Sequence, residues 1–221
     1  AVPVLFVSHR GDTRTEEKNL NKGPEVRVLI SQSGKVVAMP LEQYITGVVA
    51  AEMPAAFPLE ALKAQAVAAR TYTLKRMESG PDSGDKGSHP QADVCTDFNH
   101  CQAWIDKEEM MKRWGAGGDK YYRKILAAVS QTFSQAIYYN NAYIDPVYHS
   151  TSNGRTENSE DVWGTKVPYL RSVASRWDSA SPKFHSSVAV PLEVFSSKLG
   201  YSGAVQVSTL GNVGLISPLE Y

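Results

Sequence analysis

The amino-acid sequence predicts an α+β protein in which packed helices, one bearing a candidate catalytic glutamate, lie beside antiparallel strand hairpins that form a groove. Three observations predict this class. Valine-rich runs separated by turn residues are typical of hairpins, and longer stretches repeat apolar side chains at helical spacing. The strands are also segregated from the helices, as in α+β proteins.

The first half of the chain predicts one hairpin and two helices. Residues 25–30 and 35–39 are rich in valine, and the Ser-Gln-Ser-Gly stretch between them supplies turn residues. Pro40 then opens a helix whose apolar residues recur every three or four positions until a Met-Pro pair ends it after Glu52. A second helix is predicted at 59–77, where many alanines allow close contact between helices.

The second half predicts a third helix, a second hairpin, a strand and a short last helix. Helical spacing covers 119–134. The pair Asn140 and Asn141 lies between aromatic and β-branched residues and favours a tight hairpin turn. Residues 168–173 are expected to form a strand, and a proline opens the last helix, predicted at 191–198.

The composition is that of a folded soluble protein and excludes some classes of partner. The 221 residues include 42% hydrophobic residues, and 23 basic side chains balance 23 acidic ones. A neutral chain lacks the positive field that duplex-binding proteins use, so we do not expect nucleic acid as a partner. The chain has no repeat, and only one stretch, 78–91, reads as a long Gly/Ser/Asp/Pro-rich loop. A single domain over residues 1–221 is therefore predicted.

Glu52 is the first candidate functional residue. The last turns of its helix consist of valine and alanine, so its carboxyl should meet apolar neighbours and the negative end of the helix dipole. Both favour the protonated form, which suits a general acid that protonates the departing oxygen in glycoside cleavage. The alternative interpretation is a surface glutamate at a helix end.

Arg70 is the second candidate, because it stands among small and apolar residues of the second helix. A fully buried arginine is rare unless it is paired. It would either pair with Glu52 or Glu60 and join two helices, or hold a carboxylate or acetamido group of a substrate beside Glu52. The sequence leaves both interpretations open.

A short stretch combines two imidazoles with two thiols, a donor set typical of a closed tetrahedral zinc site. The four residues are His89, Cys95, His100 and Cys101. Their spacing is irregular for a zinc finger, but successive side chains of a loop can converge when the backbone turns. The alternative is a disulfide between Cys95 and Cys101, which an oxidising compartment favours.

A polar stretch that begins at His149 offers hydroxyl, amide and backbone groups suited to binding sugars. Its histidine with Ser150 and Ser152 also suggests a serine hydrolase, but the sequence lacks a G-x-S-x-G elbow and an assignable third member. Tyr169 and Arg171 are two positions apart and so lie on one face of the predicted strand. A stacking ring and a cation would then face the same cleft.

Four stretches of the sequence together resemble the stage II sporulation protein D family. In the family's order, between Pro40 and Val173, they are MPLEQYITGVVAAEMPAAFPLEALKAQAVAARTYTL, CTDFNHCQAW, YHSTSNGRTENSEDVWG and VPYLRSV. The paired AAEMP and AVAARTY motifs carry the resemblance most specifically.

The resemblance implies roles for residues within these stretches. It implies that Glu52 is the catalytic acid and that the His/Cys stretch is the zinc-binding segment seen in some members. It also matches groove positions of the family to Arg70, Tyr169 and Arg171, and the predicted substrate-binding set is completed by Tyr148, His149, Ser150 and Ser152 of the polar stretch.

The resemblance further implies an activity. Members look like lytic transglycosylases that cut peptidoglycan glycan strands during engulfment in sporulation and leave 1,6-anhydro-N-acetylmuramic acid ends. We expect a preference for strands already stripped of stem peptides, and a cell-wall amidase as partner. A related branch of the family modifies amidase activity, so the competing prediction is a non-catalytic module that binds glycan strands and stimulates a cell-wall amidase.

The resemblance also implies a location. Family members usually have an N-terminal membrane anchor and continue into a GHGxGMSQ segment near the C-terminus, whereas this sequence ends in SPLEY. We therefore expect both parts to be absent from this chain. The full-length protein is expected to be membrane-anchored and extracytoplasmic, in the space between mother cell and forespore.

Overall fold

The computed structural model describes residues 20–21, 23–79, 89, 91–185, 187–198, 200, 205–210 and 213–218. The chain forms two compact units, Ala1–Tyr148 and His149–Tyr221. Helices and small sheets together confirm the predicted α+β class. The single domain and the groove stay predictions.

The first unit contains most of the regular structure. In chain order its elements are β1 (Glu25–Ile30), β2 (Lys35–Pro40), α1 (Leu41–Glu52), α2 (Leu59–Ser79), β3 (Val94–Cys95), α3 (Lys107–Trp114), α4 (Gly118–Gln131), β4 (Tyr138–Tyr139) and β5 (Ala142–Tyr143). The second unit contains α5 (Ser159–Trp163), α6 (Leu192–Lys198) and the antiparallel hairpin of β6 (Val205–Leu210) and β7 (Val213–Pro218).

Strand β1 is the centre of a three-stranded sheet. The predicted hairpin with β2 is confirmed, with Glu25 opposite Pro40. On its other side β1 pairs in parallel with β3, where Leu29 lies opposite Cys95. A two-residue strand is too short to show a periodicity of two, so the sequence pattern did not predict β3. This pairing nevertheless fixes one of the candidate metal ligands to the sheet.

The core of the first unit lies among α1, α2, α4 and the inner face of β1. Helix α1 is buried on almost all sides, and Tyr44, Ile45 and Val48 have no exposed surface. The alanines of α2 allow the predicted close approach, since Ala66 and Ala69 are also completely buried. Full burial of a large apolar side chain stabilises the folded state by about 1.5–3 kcal/mol.

Several predicted elements are confirmed with small changes. Helix α4 begins at Gly118 and ends at Gln131, three residues before the predicted end, because Thr132 leaves the helical conformation and Ser134 has φ 61°. The turn between β4 and β5 is the predicted Asn140-Asn141 pair, with φ values of 49° and 62°. The last predicted helix is confirmed as α6.

Helices α3 and α5 were not predicted, and one predicted strand is wrong. Asp106 caps the missed helix α3 by accepting a hydrogen bond from the Glu109 N–H at 2.8 Å. Residues 168–173 do not form a strand. Their backbone makes scattered hydrogen bonds to the main chain of Thr156 and Ser159 and to side chains, and the single bridge nearby joins Arg155 to Ala174. Tyr169 and Arg171 therefore do not share a strand face.

Two predicted segments fall wholly or partly outside the described residues. They are the opening of the chain and, within the predicted loop 78–91, residues 80–88 and 90. None of the helices in the described ranges combines the length and apolar composition that crossing a membrane requires.

Candidate functional site

Glu52 is the last residue of α1 and is partly exposed. Its Oε1 atom accepts a hydrogen bond from the backbone N–H of Ala103 at 2.7 Å. After Glu52 the chain turns to an extended conformation at Met53, whose N–H still donates to the carbonyl of Val49. The carboxyl is thus held at the end of a buried helix by a main-chain donor from a distant segment, rather than lying among apolar side chains alone.

Tyr148 lies beside Glu52. Its hydroxyl accepts a hydrogen bond from Nε2 of Gln102 at 3.4 Å. Burial of the hydroxyl, and to a smaller degree the neighbouring Glu52 carboxylate, raises the pKa of Tyr148 to about 12, although the hydrogen bond from Gln102 acts in the opposite direction. The phenol is therefore neutral at physiological pH and keeps a proton that it can donate.

The four predicted metal ligands converge on one point. Their donor atoms all lie within 4.8 Å of one another, and they belong to His89, Cys95, His100 and Cys101. The His89 Nε2 atom is 3.3 Å from the Cys101 sulfur, and the His100 Nδ1 atom is 3.3 Å from that sulfur and 3.5 Å from the Cys95 sulfur. Both cysteines are free thiols.

The three distances of 3.3–3.5 Å fit the spacing of ligand atoms around a tetrahedral zinc ion. Zinc bonds of about 2.3 Å to sulfur and 2.0–2.1 Å to nitrogen separate neighbouring ligand atoms by about 3.3–3.8 Å. The Nδ1 atom of His89 lies 3.1 Å from the carbonyl oxygen of Ala92, so a proton on Nδ1 leaves the Nε2 lone pair directed at the cluster. Burial raises the pKa of the Cys95 thiol to about 11, so the thiol stays neutral until a cation displaces its proton.

Two tyrosines connect this cluster with the helices. The hydroxyl of Tyr72 in α2 is 3.5 Å from the carbonyl oxygen of His100. Tyr44 of α1 is completely buried, and burial raises its pKa, with Cys101 as the next cause. The cluster is therefore packed against the helix that ends in Glu52.

Arg70 lies in the core and not beside Glu52. Its Nε and Nη2 atoms donate to the two carboxylate oxygens of Glu42 at 2.8 and 2.6 Å, and both side chains are at least 96% buried. Its Nη1 atom donates to the carbonyl oxygen of Gln135 at 3.1 Å. The structure favours the ion-pair interpretation, and the partner is Glu42 on α1 instead of the expected Glu52 or Glu60.

The remaining predicted site residues belong to the second unit. His149 and Ser150 are exposed. The Ser152 hydroxyl donates to the carboxylate of Asp178, which also accepts the Ser152 backbone N–H at 2.8 Å. A serine bound directly to a carboxylate has no histidine base on its hydroxyl, and this geometry does not favour the serine-hydrolase interpretation.

Tyr169 and Arg171 lie in irregular backbone of the second unit. Tyr169 is half-buried. Arg171 is bound to Glu160, with Nη1 2.8 Å from a carboxylate oxygen, and this bond is the main reason that the pKa of Glu160 is lowered to about 2. A substrate anion at Arg171 would have to exchange with that carboxylate.

Some residues of the site were not predicted. Gln102, Gln65 and the Ala103 backbone N–H surround the Glu52 and Tyr148 side chains. A main-chain donor has no residue-type signal, so the bond to Ala103 could not be read from the sequence. The sequence offered one clue to these residues, since Gln102 and Ala103 directly follow the candidate ligand Cys101.

Comparisons with known proteins show the family to which the chain is similar. Residues 30–139 match the family model described as stage II sporulation protein. The chain is 38% identical to the stage II sporulation protein D of Bacillus subtilis (strain 168) over 196 residues, which cover 85% of this chain and 56% of that protein. It is also 38% identical to the protein of the same name from Bacillus amyloliquefaciens over 209 residues, covering 94% of this chain and 59% of that one.

A further relative carries a different name. The amidase enhancer of Bacillus subtilis (strain 168) is 36% identical over 126 residues, which cover 57% of this chain and 14% of that protein. The chain spans less than three fifths of the length of the sporulation proteins that it matches. The matched region includes Glu52, the four clustered His and Cys residues, and the segment between them. Through its domain at residues 30–139, the chain therefore belongs to the stage II sporulation protein D family, as its sequence predicted.

Proposed function

We propose that this protein is a peptidoglycan lytic transglycosylase that acts in sporulation, with Glu52 as its single catalytic acid and base. The observation that carries the proposal is a partly exposed carboxyl, fixed by the Ala103 N–H at 2.7 Å and lying next to the neutral phenol of Tyr148. A positioned, partly exposed carboxyl is the proton donor that acid-catalysed glycoside cleavage requires.

In the proposed reaction Glu52 first protonates the glycosidic oxygen that leaves N-acetylmuramic acid. The bond from the anomeric carbon to that oxygen breaks, and the C6 hydroxyl of the same sugar attacks the anomeric carbon. Glu52, now a carboxylate, takes the hydroxyl proton and returns to its acid form. The product ends in 1,6-anhydro-N-acetylmuramic acid, and no water is consumed.

The arrangement of the carboxyl suits this sequence of proton transfers. Oε1 accepts the Ala103 N–H, so the transferable proton belongs on Oε2. Because the attacking group is part of the substrate, the reaction needs no second carboxylate as nucleophile. Glu42, the other acidic residue of α1, is buried and bound to Arg70, and it takes no part.

We also propose that the His/Cys cluster holds a structural zinc ion. The ligands would be His89, Cys95, His100 and Cys101, which together fill a tetrahedral set. When bound, zinc would cross-link the turn at 97–101 to β3 and to His89, and its binding free energy would add to folding stability. A disulfide between the two cysteines would leave both histidines without this role.

The competing function is a glycan-binding module that stimulates a cell-wall amidase. The relative named amidase enhancer favours it, since 57% of this chain aligns with that protein. Both functions place the protein outside the cytoplasm, next to glycan strands and an amidase. They differ in whether the purified protein cuts a strand by itself.

The experiment is digestion of purified glycan strands by the wild type, Glu52→Gln and the control Glu60→Gln, with mass analysis of the soluble products. We expect anhydro-ended fragments from the wild type and from the control, whose glutamate is exposed and paired only with Lys63. Loss of the catalytic acid should lower the rate about 10²- to 10⁴-fold. A Glu52→Gln protein that cuts at the wild-type rate would refute the assignment of Glu52, and a wild type that cuts nothing would favour the binding module.

A further inference from the structure

Five consecutive residues, 101–105, connect the metal cluster to the candidate catalytic helix. Cys101 is one of the cluster residues. Gln102 donates to the Tyr148 hydroxyl, and the Ala103 N–H donates to Glu52. We call residues 101–105 the linking segment, because it touches the cluster at one end and α1 along the rest of its length.

The far end of the linking segment is packed tightly against α1. The Ile105 N–H donates to the carbonyl oxygen of Gly47 at 3.3 Å, and Ile105 is buried. A side chain at Gly47 would have its Cβ atom 2.1 Å from the Trp104 indole nitrogen and 2.7 Å from the Ile105 oxygen. Only glycine lets the segment come this close.

The near end of the linking segment depends on the cluster. Cys101 donates its backbone N–H to the carbonyl oxygen of Asp97 at 2.8 Å, which closes the turn 97–101. Cys95 is tied to β1 through β3, while His89 comes from a separate part of the chain. Without a common metal ion, the contacts that join Cys101 to His89 and His100 are side-chain contacts of 3.3 Å.

We infer that the metal cluster positions the candidate catalytic carboxyl through the linking segment, with the Ala103 N–H as the positioning group. This inference rests on the zinc site proposed above. A metal ion bound at the cluster would fix the position of Cys101. Because Ala103 is only two residues further along the chain, the position of its N–H, which donates to Glu52, would be fixed as well. Glu52 is the catalytic residue in this scheme, and Gln102 and Ala103 are positioning residues that act on Tyr148 and Glu52.

Coupling between two sites is reciprocal, so removing the acceptor at Glu52 must weaken metal binding. This gives a test that does not use activity. Zinc affinity is measured by competition with a chelator for the wild type, Glu52→Ala, Glu52→Gln and the control Glu60→Ala. The alanine variant loses the acceptor for the Ala103 N–H, whereas the glutamine variant keeps an amide oxygen at that position.

We expect Glu52→Ala to bind zinc about fivefold or more weakly, at the lower end of ordinary coupling between sites, with Glu52→Gln and Glu60→Ala close to the wild type. Equal affinity in Glu52→Ala and the wild type would overturn the inference. Equal weakening in both Glu52 variants would also overturn it, because the effect would then come from the lost charge and not from the acceptor.

Hydrogen exchange supplies a second readout. In the wild type, removal of zinc with a chelator should speed exchange of the Ala103 amide while amides in the buried middle of α1 stay protected. Unchanged exchange at Ala103 would contradict the coupling. A wild-type protein that holds no zinc would refute the metal site and this inference together, while the cleavage assay of the preceding section would still judge the proposed activity.

Discussion

At the scale of single residues, the structure gives different surroundings to two charged residues that the sequence places in similar settings. Glu52 and Arg70 both follow alanine-rich stretches. Glu52 is the last residue of its helix and is partly exposed, whereas Arg70 faces the core and forms a bidentate ion pair with Glu42. The apolar neighbours in the sequence therefore indicated that both charged residues are unusual. They did not show whether each residue serves in catalysis or in an ion pair of the core.

The ion pair of Arg70 and Glu42 gives a prediction about stability. Arg70→Met leaves the Glu42 carboxylate buried without a partner, and we expect the free energy of unfolding to fall by about 3–5 kcal/mol. The double variant Glu42→Leu with Arg70→Met removes both charges and should recover most of that loss. Denaturant unfolding at constant metal content measures both changes.

The matched control for this prediction is Arg113→Met. Arg113 pairs with Glu109 on the surface of α3, where the two side chains are 52% and 38% exposed. Its removal should change stability by about 0.5 kcal/mol or less. An Arg70→Met variant as stable as this control would show that the buried pair is not needed for folding.

At the scale of elements, the end of α1 depends on what packs along the whole helix. Helices α2 and α4 cover one side, and the linking segment covers another at Gly47. Packing on these sides holds the helix in place. Its last residue, Glu52, accepts a hydrogen bond from Ala103 of the linking segment, and the same segment is bound to α1 at Gly47.

Gly47→Ala tests this arrangement. Alanine favours the helix by about 1 kcal/mol over glycine, but the new methyl group overlaps Trp104 and the Ile105 oxygen, so the linking segment must move. Because misplacement of a reacting group by about 1 Å can cost 10²-fold in rate, we expect kcat on glycan strands to fall tenfold or more with KM little changed. The measurement is steady-state kinetics.

Gln43→Ala is the control for this substitution, since Gln43 is an exposed residue of the same helix. It should retain the wild-type kcat. If Gly47→Ala also retained it, close packing at Gly47 would have no part in positioning Glu52.

At the scale of the whole molecule, sequence patterns predicted α1, α2, α4, α6 and the first two hairpins, and missed α3, α5, β3 and the hairpin of β6 and β7. Helices α1 and α2 and the first hairpin carry strong local periodicity and were predicted within a few residues. The parallel partner β3 has two residues and exists because β1 offers it a free edge. The prediction of a strand at 168–173 was wrong because side chains of Asn158 and Thr156 take some of its backbone hydrogen bonds, so that its main-chain bonds to residues 156–159 do not form a regular ladder.

In the candidate site, too, local sequence predicted some features, and others depend on the fold. Residue types predicted either a zinc site or a disulfide in this stretch, and the four donor atoms do converge, with both cysteines as free thiols. The environment of Glu52 was predicted only in part, because the Ala103 N–H and Gln102 come from a segment 50 residues away whose position depends on the fold.

The proposed activity predicts an order of action on intact peptidoglycan. A branched, anionic stem peptide beside the scissile bond must lose water to enter a cleft, and each polar group left unpaired costs about 1–3 kcal/mol. We therefore expect faster release of anhydro-ended fragments from amidase-treated strands than from untreated strands at equal sugar concentration. Arg70 is bound to Glu42, so we do not expect it to hold a carboxylate of the substrate. Equal rates on both substrates would contradict the preference.

The most direct test of the central claim is cleavage of amidase-treated glycan strands by the purified wild type in water enriched in ¹⁸O. Attack by the sugar's own C6 hydroxyl consumes no water, so the account predicts fragments one water lighter than hydrolysis products and without ¹⁸O at the new end. Incorporation of ¹⁸O at the new reducing end would show hydrolysis, and strands that remain intact would show that the purified protein does not cleave them. Either result would contradict the account of Glu52 as the acid and base of a lytic transglycosylase.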